Sequence, residues 1–280
     1  MSEILSGKLV SKAIEIQLIE KVKKIKEKGV TPKLAILLVG NDYASVTYVN
    51  MKKKACEKIG LDCTVYSIDE SITEKQVIAL VKKLNKDESV NGIMIQHPMP
   101  YHINEQDVFN TITPEKDVDG LSDVSLLKLI TNNKCFVPAT ALGILKLLEF
   151  FDVNVEGINA LVVGRSRIVG KPLFHLLLNA NATVTLAHSK TKNLTELSKN
   201  YDLICVAVGR PHFIKSSNFK KGAIVVDAGY NEGNVGDVLY DKTKHLGGYT
   251  PVPGGVGPMT IVSLIYQTVD ACIKQNNLEL

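Results

Sequence analysis

Residues 158–173, INALVVGRSRIVGKPL, read as a strand, a glycine turn and the start of a helix. The apolar run 158–163 has the length of a buried strand. Gly164 and Gly170 bracket the turn, and Pro172 suits the first turn of a helix, where a missing N–H costs nothing. Amides at a helix N-terminus bind phosphate because they are unpaired and the dipole is positive there. The spacing is neither the dinucleotide G-x-G-x-x-G nor a P-loop. Five residues separate the two glycines, and Pro172 stands where a P-loop needs Ser or Thr. On its own the turn leaves phosphate binding and simple close packing equally open.

The next strand, residues 183–187, sharpens the reading. It ends in His188-Ser189-Lys190, without the carboxylate that binds the ribose hydroxyls in NAD-dependent domains. Arg165 and Arg167 sit in the preceding turn. Guanidinium, hydroxyl and ammonium groups suit a 2′-phosphate, so NADP is favoured over NAD. The alternative is that these are ordinary solvated loop residues.

Outward from this unit the chain keeps one rhythm. Strands are expected at 34–39, 63–68 and 92–96, with helices at 43–59 and 74–86 between them. Further strands fall at 203–208 and 223–226, and a last helix at 260–274. The lysine-rich stretch 21–28 interleaves Val22 and Ile25 and reads as the solvated face of a first helix. The acid-rich segment TPEKDVDGLSD (113–123) is expected as a loop leaving the first domain, and 138–151 as a helix beginning near Thr140. Short apolar runs alternating with amphipathic stretches predict βαβ units and parallel sheets. The expected fold is α/β, with two α/β domains, the second Rossmann-like, and a cleft between them.

Composition narrows the class. A length of 280 residues suits two domains with substantial cores. Lys and Arg number 33 against 29 Asp and Glu, a net charge of +4. The first 140 residues hold 19 basic and 18 acidic side chains and the rest 14 and 11. Neither half is basic enough for an electrostatic nucleic-acid binder. The apolar runs are far shorter than the ~20 residues of a membrane span. The N-terminal MSEILSGKLVSK lacks the continuous apolar stretch of a signal peptide. Five scattered cysteines (Cys56, Cys63, Cys135, Cys205 and Cys272) without a C-x-x-C pair read as reduced thiols, neither a disulfide frame nor a zinc site. A cytoplasmic enzyme is expected.

One lysine is out of place. At about 100° per residue, Ala44, Tyr48, Met51, Lys52, Ala55 and Ile59 fall on one side of the helix 43–59. Lys52 is the only charge near the centre of that apolar stripe. Burial disfavours an ammonium and lowers its pKa, which makes the group usable as an acid or base. Tyr48 lies one turn earlier on the same face. Taken alone, a lysine on such a stripe more often snorkels, covering apolar surface while its tip stays wet.

From YVNMKKKACEKIG (48–60) onward, the sequence resembles the bifunctional methylenetetrahydrofolate dehydrogenase/methenyltetrahydrofolate cyclohydrolases of the FolD type. The match continues through IQHPMP (95–100), PEKDVDGL (114–121), VVGRSRIVGKP (162–172), HSKT (188–191), GDV (236–238) and TPVPGGVGPMT (250–260). These blocks keep the family's order over nearly the whole chain.

The resemblance implies a folate-binding catalytic domain, residues 1–120 completed by the helix 260–280, and an NADP-binding domain, residues 138–259. It also implies a homodimer formed through the cofactor domains. By motif position Tyr48 would stack on the folate, Lys52 would be the central catalytic group, and Gln96 would hydrogen-bond and tune it. Asp119 would bind the pterin's donor edge, with Pro253 and Gly254 lining the folate side. Gly164, Arg165, Ser166, Arg167, Ser189, Tyr230, Thr140 and Gly257 would contact NADP. No metal is implied. The activity implied is NADP-dependent oxidation of 5,10-methylenetetrahydrofolate, followed by hydrolysis of the methenyl product to 10-formyltetrahydrofolate in one-carbon metabolism.

Three positions depart from the family pattern. His97 replaces the usual Leu and is read as a packing residue, the alternative being a titrating group added near Lys52. PATA (138–141) replaces PCTP, losing a cysteine and a proline. Tyr230 follows Ala228-Gly229 where D-V-G-I-N is usual, putting a bulkier ring beside the cofactor. Other readings are a member retaining only the cyclohydrolase, a non-catalytic NADP-binding regulator, and an unrelated NADP oxidoreductase resembling shikimate dehydrogenase. A regulator has no use for Lys52 in an apolar stripe or for Asp119.

Overall fold

The computed structural model describes residues 2–280, which divide into two compact units. One comprises Ala13–Ala139 and Ile261–Leu280. The other comprises the residues up to Lys12 together with Thr140–Thr260.

The chain opens with β1 (Glu3–Ile4) and the long helix α1 (Gly7–Glu27). Next come β2 (Lys33–Val39), α2 (Tyr43–Ile59), β3 (Asp62–Ile68), α3 (Glu74–Lys86) and β4 (Gly92–Ile95). The three strands form a parallel sheet ordered β3-β2-β4, so β2 is central. Its residues Leu34, Ala35, Ile36 and Leu37 are wholly buried. A parallel strand covered on both faces needs such an uninterrupted apolar run. The strand expected at 92–96 ends at Ile95, although the Gln96 amide still donates to the Leu37 carbonyl at 2.8 Å.

Two short helices of this unit were not foreseen, α4 (Glu105–Thr111) and α5 (Asp123–Ile130). Each starts on a side-chain cap: Asn104 accepts from the Gln106 amide and Ser122 from the Ser125 amide. Between them the loop 113–122 carries the acidic motif, as expected.

After β1, the second unit resumes in α6 (Ala139–Phe150), followed by β5 (Asn159–Val163), α7 (Gly170–Asn179), β6 (Thr183–Ala187), α8 (Leu194–Ser198) and β7 (Leu203–Val206). Then come β8 (Ile214–Lys215), β9 (Ile224–Asp227), β10 (Val238–Leu239), β11 (Gly248–Tyr249) and the last helix α9 (Val256–Gln275). The six-stranded sheet is parallel throughout and ordered β1-β11-β9-β7-β5-β6; β8 and β10 pair separately. Strand residues alternate between its faces with period two. Ala160, Val162, Leu203, Cys205 and Val226 pack with Leu173 and Leu177 of α7 and Ile144 and Leu148 of α6. Leu161, Val163, Ile204, Val206 and Val225 face Ile214, Phe219, Val238 and Leu246.

Two boundaries differ from the sequence expectation. β1 belongs to the second unit, because Glu3 and Ile4 pair in register with Gly248 and Tyr249 of β11. The division between the units therefore falls inside α1, at residue 12, instead of placing residues 1–120 together. The last helix begins at Val256, not 260, and only from Ile261 onward does it belong to the first unit. Among the described residues α9 is the one helix long and apolar enough for a membrane span, and two-thirds of that stretch is buried in the protein.

Two buried acids hold the loops at the carboxyl ends of β7 and β9. Asp237, wholly buried, accepts from the amides of Val208 (2.6 Å), Gly209 (2.9 Å) and Arg210 (2.8 Å) and from Asn231 Nδ2 (3.1 Å). Asp227 accepts from Gly229, Asp237 and Val238 amides at 2.8–3.0 Å. Burial raises its carboxyl to about 6 despite those three amides, and the Asp237 charge adds to the rise. Glycine is required on both sides: a Cβ on Gly229 would lie 2.3 Å from the Asp237 carboxylate, and one on Gly236 2.0 Å from that of Asp227. Asp237→Ala removes the acceptor of three part-buried amides, so urea unfolding should show a loss of about 2–3 kcal/mol.

Candidate active site and cofactor site

The first site is built on α2. Asp42 caps the helix by accepting from the Ser45 amide at 2.8 Å, and Gly60 ends it in the left-handed region at φ +85°. The buried face is Ser45, Val49, Lys52, Cys56 and Ile59. This corrects the expected stripe: Ala44 and Met51 are exposed, while Tyr48 and Ala55 lie half-buried at its edge. Apolarity misplaced the face by about one residue because three of its five members are Ser, Lys and Cys. Lys52 and Ile59 belong to both versions.

Lys52 is 6% exposed and does not snorkel. Its ammonium donates to Gln96 Oε1 at 2.9 Å and lies 3.7 Å from Met94 Sδ. Gln96 follows β4 directly, and its Nε2 donates to the His97 carbonyl at 2.8 Å, which fixes the amide with its oxygen toward the lysine. Burial lowers the Lys52 pKa to about 8, against an opposing pull from the Asp119 charge. Asp119 is pushed the other way, up to about 6, by its own burial, with the Lys52 charge resisting. At neutral pH both carry charge, yet each is within reach of its other form. Lys52, Gln96 and Asp119 are thus brought together, with Tyr48 one helical turn away.

Asp119 sits in a tightly built loop. Asp117, 1% exposed, accepts from the Leu121 and Ser122 amides and from Ser125 Oγ at 2.6 Å. Lys116 donates to the Leu84 and Asp87 carbonyls, closing the C-terminal end of α3. Lys116 and Asp117 of this motif are thus tied to backbone and serine groups, whereas Asp119 meets the Ala139 amide at 3.4 Å. His97 is half-buried, and burial holds its imidazole pKa below the usual value, so it is neutral at pH 7. The His97–Pro98 and Val252–Pro253 peptides are cis.

The second site lies at the carboxyl end of β5. In the order β7-β5-β6, the chain turns to opposite sides of β5, and such switch points are where open parallel sheets bind nucleotides. Gly164 has φ +119°, and a Cβ there would lie 2.1 Å from the Ala207 carbonyl oxygen. A Cβ on Gly170 would lie 2.0 Å from the Gly164 oxygen. The two glycines are therefore needed to close the turn, whatever it binds. Ser166 Oγ accepts from the Val169 and Gly170 amides and so caps α7.

Val163 pairs with Ala187 in register, and the Gly164 amide donates to the Ala187 carbonyl. The turns bearing Arg165 and Arg167 and bearing Ser189 thus leave adjacent strands at one level. Ser189 lies in a turn closed by the Thr191 amide on the His188 carbonyl and by the His188 amide on Thr191 Oγ1, both at 2.8 Å. No carboxylate follows β6. The basic and hydroxyl side chains, together with the open glycine turn, fit a dinucleotide bearing a 2′-phosphate.

The remaining candidates also lie in the second unit. Tyr230 is exposed and its hydroxyl donates to Asn234 Oδ1. Thr140 Oγ1 accepts from Thr260 Oγ1 at 3.1 Å. Gly254 has φ +99° and its carbonyl accepts from the Lys8 amide, with Pro253 beside it; a Cβ on Gly257 would meet open space. Sequence reasoning overlooked Met94, Asp117, Asp227 and Asp237. An acid ending an apolar strand beside glycine, as in IVVDAG, is the signal that marks Asp227.

A family model for the tetrahydrofolate dehydrogenase/cyclohydrolase catalytic domain matches residues 5–119, and that for the family's NAD(P)-binding domain matches residues 138–276. The chain is 48% identical over 276 residues to the bifunctional protein FolD of Leptospira biflexa, covering 98% of this chain and 95% of that one. The bifunctional FolD methylenetetrahydrofolate dehydrogenase/cyclohydrolase from Campylobacter jejuni has a similar structure, with a TM-score of 0.96 at 42% identity over 99% and 100% of the two chains. So does the Trypanosoma brucei FolD enzyme solved with NADP cofactor and inhibitor, with a TM-score of 0.94 at 32% identity over 99% of each chain. Matched along both of its domains, the chain belongs to the tetrahydrofolate dehydrogenase/cyclohydrolase family.

Proposed function

We infer that the chain performs two consecutive reactions on a folate one-carbon unit. It oxidises 5,10-methylenetetrahydrofolate to 5,10-methenyltetrahydrofolate with NADP+, then hydrolyses that product to 10-formyltetrahydrofolate. The observation that carries this reading is the buried Lys52 ammonium, hydrogen-bonded to Gln96 at 2.9 Å and lowered to about 8 in the field of Asp119.

Each residue has a task set by its chemistry. The pterin edge presents paired N–H donors, and Asp119, ionised above about pH 6, accepts them. Tyr48 offers its ring to the folate at the edge of the buried face. In the first reaction the lone pairs of the folate nitrogens expel hydride from the methylene carbon, so the protein's part is alignment and exclusion of water. Bound NADP+ supplies the hydride acceptor. Gly164, Ser166, Tyr230, Thr140 and Gly257 would hold it, with Arg165, Arg167 and Ser189 on the 2′-phosphate. Pro253 and Gly254 would complete the folate side.

In the second reaction water adds to the methenyl carbon. The amine form of Lys52 takes a proton from that water, a proton passes to N5 as the N5–carbon bond opens, and one proton is released overall. Gln96 keeps the lysine aimed by accepting one of its hydrogens. Five unpaired cysteines support a reducing, cytoplasmic setting, and the family resemblance supports a homodimer.

Lys52→Met should lower methenyltetrahydrofolate hydrolysis by at least about 100-fold, followed by the loss of its absorbance, and leave NADP+ affinity unchanged. Wild-type hydrolysis should rise with pH as Asp119 ionises near 6, and again as Lys52 deprotonates near 8. Stability carries the same signature. Between about pH 8 and 10.5 the unfolded lysine holds a proton that the folded one has lost, so stability rises with pH there. Urea titrations of Lys52→Met should show that rise removed. Arg165→Ala/Arg167→Ala should raise the KM for NADP+ by about tenfold or more with little change for NAD+, since only the 2′-phosphate contact is lost.

A further inference from the structure

Gln267 lies on α9 among the buried residues Leu264, Ile265 and Val269, and is itself 4% exposed. A primary amide in such a place needs partners for its N–H groups and its oxygen. Nε2 donates to the carbonyls of Val118 and Val137, both at 2.8 Å, and Oε1 accepts from the Val137 amide at 2.9 Å. Both segments belong to the catalytic unit and neither is regular structure.

Those two segments flank one carboxylate. Val118 directly precedes Asp119, and Val137 lies two residues before Ala139, whose amide is 3.4 Å from Asp119 Oδ1. Gly120 has φ +62°, and a Cβ there would sit 2.5 Å from the Val137 carbonyl carbon, so the strands of chain run in direct backbone contact. The Val118 side chain fills the space above Gly92, where a Cβ would meet it at 2.7 Å. On the other side, Asp117 ties Leu121, Ser122 and Ser125. The backbone around Asp119 is held from both directions. Among the described residues the carboxylate itself is held only by that long contact with Ala139, so its lone pairs remain available to a ligand.

We propose that Gln267 is a positioning residue for the folate: through the backbone of Val118 and Val137 it sets the Asp119 carboxylate where the pterin's paired donors meet it. The C-terminal helix thereby takes part in substrate recognition without touching substrate. The inference rests on Asp119 being the pterin acceptor.

The test measures KM for methenyltetrahydrofolate in hydrolysis, and the dissociation constant of NADP+ by fluorescence, in Gln267→Met, Asp119→Asn and the double variant. Methionine keeps length and apolar packing but removes all three hydrogen bonds. Gln267→Met should raise the folate KM about tenfold, as when one charge-assisted hydrogen bond is lost, with a smaller change in kcat and unchanged NADP+ affinity. In the Asp119→Asn background the same substitution should add less than about twofold, because it acts through that carboxylate. A folate KM unchanged in Gln267→Met while Asp119→Asn raises it overturns the role of Gln267 alone. A further tenfold rise when Gln267→Met is added to Asp119→Asn also overturns it, since the amide then acts elsewhere. An unchanged KM in Asp119→Asn removes the pterin reading of Asp119 itself. If Gln267→Met does not fold, Gln267→Asn, which withdraws the amide by one methylene, should raise the folate KM several-fold, and an unchanged value overturns the proposal.

Discussion

The catalytic unit depends on an ammonium group taken out of water. Removing Lys52 from solvent is costly, and one neutral acceptor at 2.9 Å does not cancel the cost. The shortfall appears in the chemistry, as a lysine whose pKa falls to about 8. The arrangement persists because the surroundings are over-determined. α2 is capped at both ends, β2 is buried along its length, and Gln96 is fixed by the His97 carbonyl.

Buried carboxylates divide into two kinds here. Asp117, Asp227 and Asp237 each accept three or more hydrogen bonds from backbone or side-chain groups and organise loops. Asp119 accepts one long one. An acid saturated by amides is a structural anchor, whereas one left with open lone pairs in a low-dielectric site is poised for a ligand. The distinction is one of hydrogen-bond count, not of burial, since all four are shielded. In the cofactor-binding unit, Asp227 and Asp237 hold the loops at the ends of β7 and β9, and the glycines opposite them exist because any Cβ would collide.

Much of this was legible in the chain. The glycine turn after β5 was placed correctly, and its two glycines prove to be packed against backbone, so their presence is explained by closure before any ligand is considered. Lys52 stood out because a charge inside an apolar period is energetically conspicuous. Its setting was less legible. The buried face of α2 includes Ser45 and Cys56, and hydrophobicity pointed instead to Ala44 and Met51. The helices α4 and α5 escaped because, at seven and eight residues, they hold too few turns for a period to show and stand on caps and packing.

Local patterns determined the parallel α/β strands, the glycine turn, the basic side chains beside it and the anomalous lysine, because each is written within a few residues. Only the tertiary structure decided that β1 joins the second sheet, that Gln96 and Asp119 converge on Lys52, and that Gln267 ties down the backbone around Asp119. These are pairings across 44 to 245 residues, set by sheet register and by buried polar groups that must find partners, and no local period carries that information.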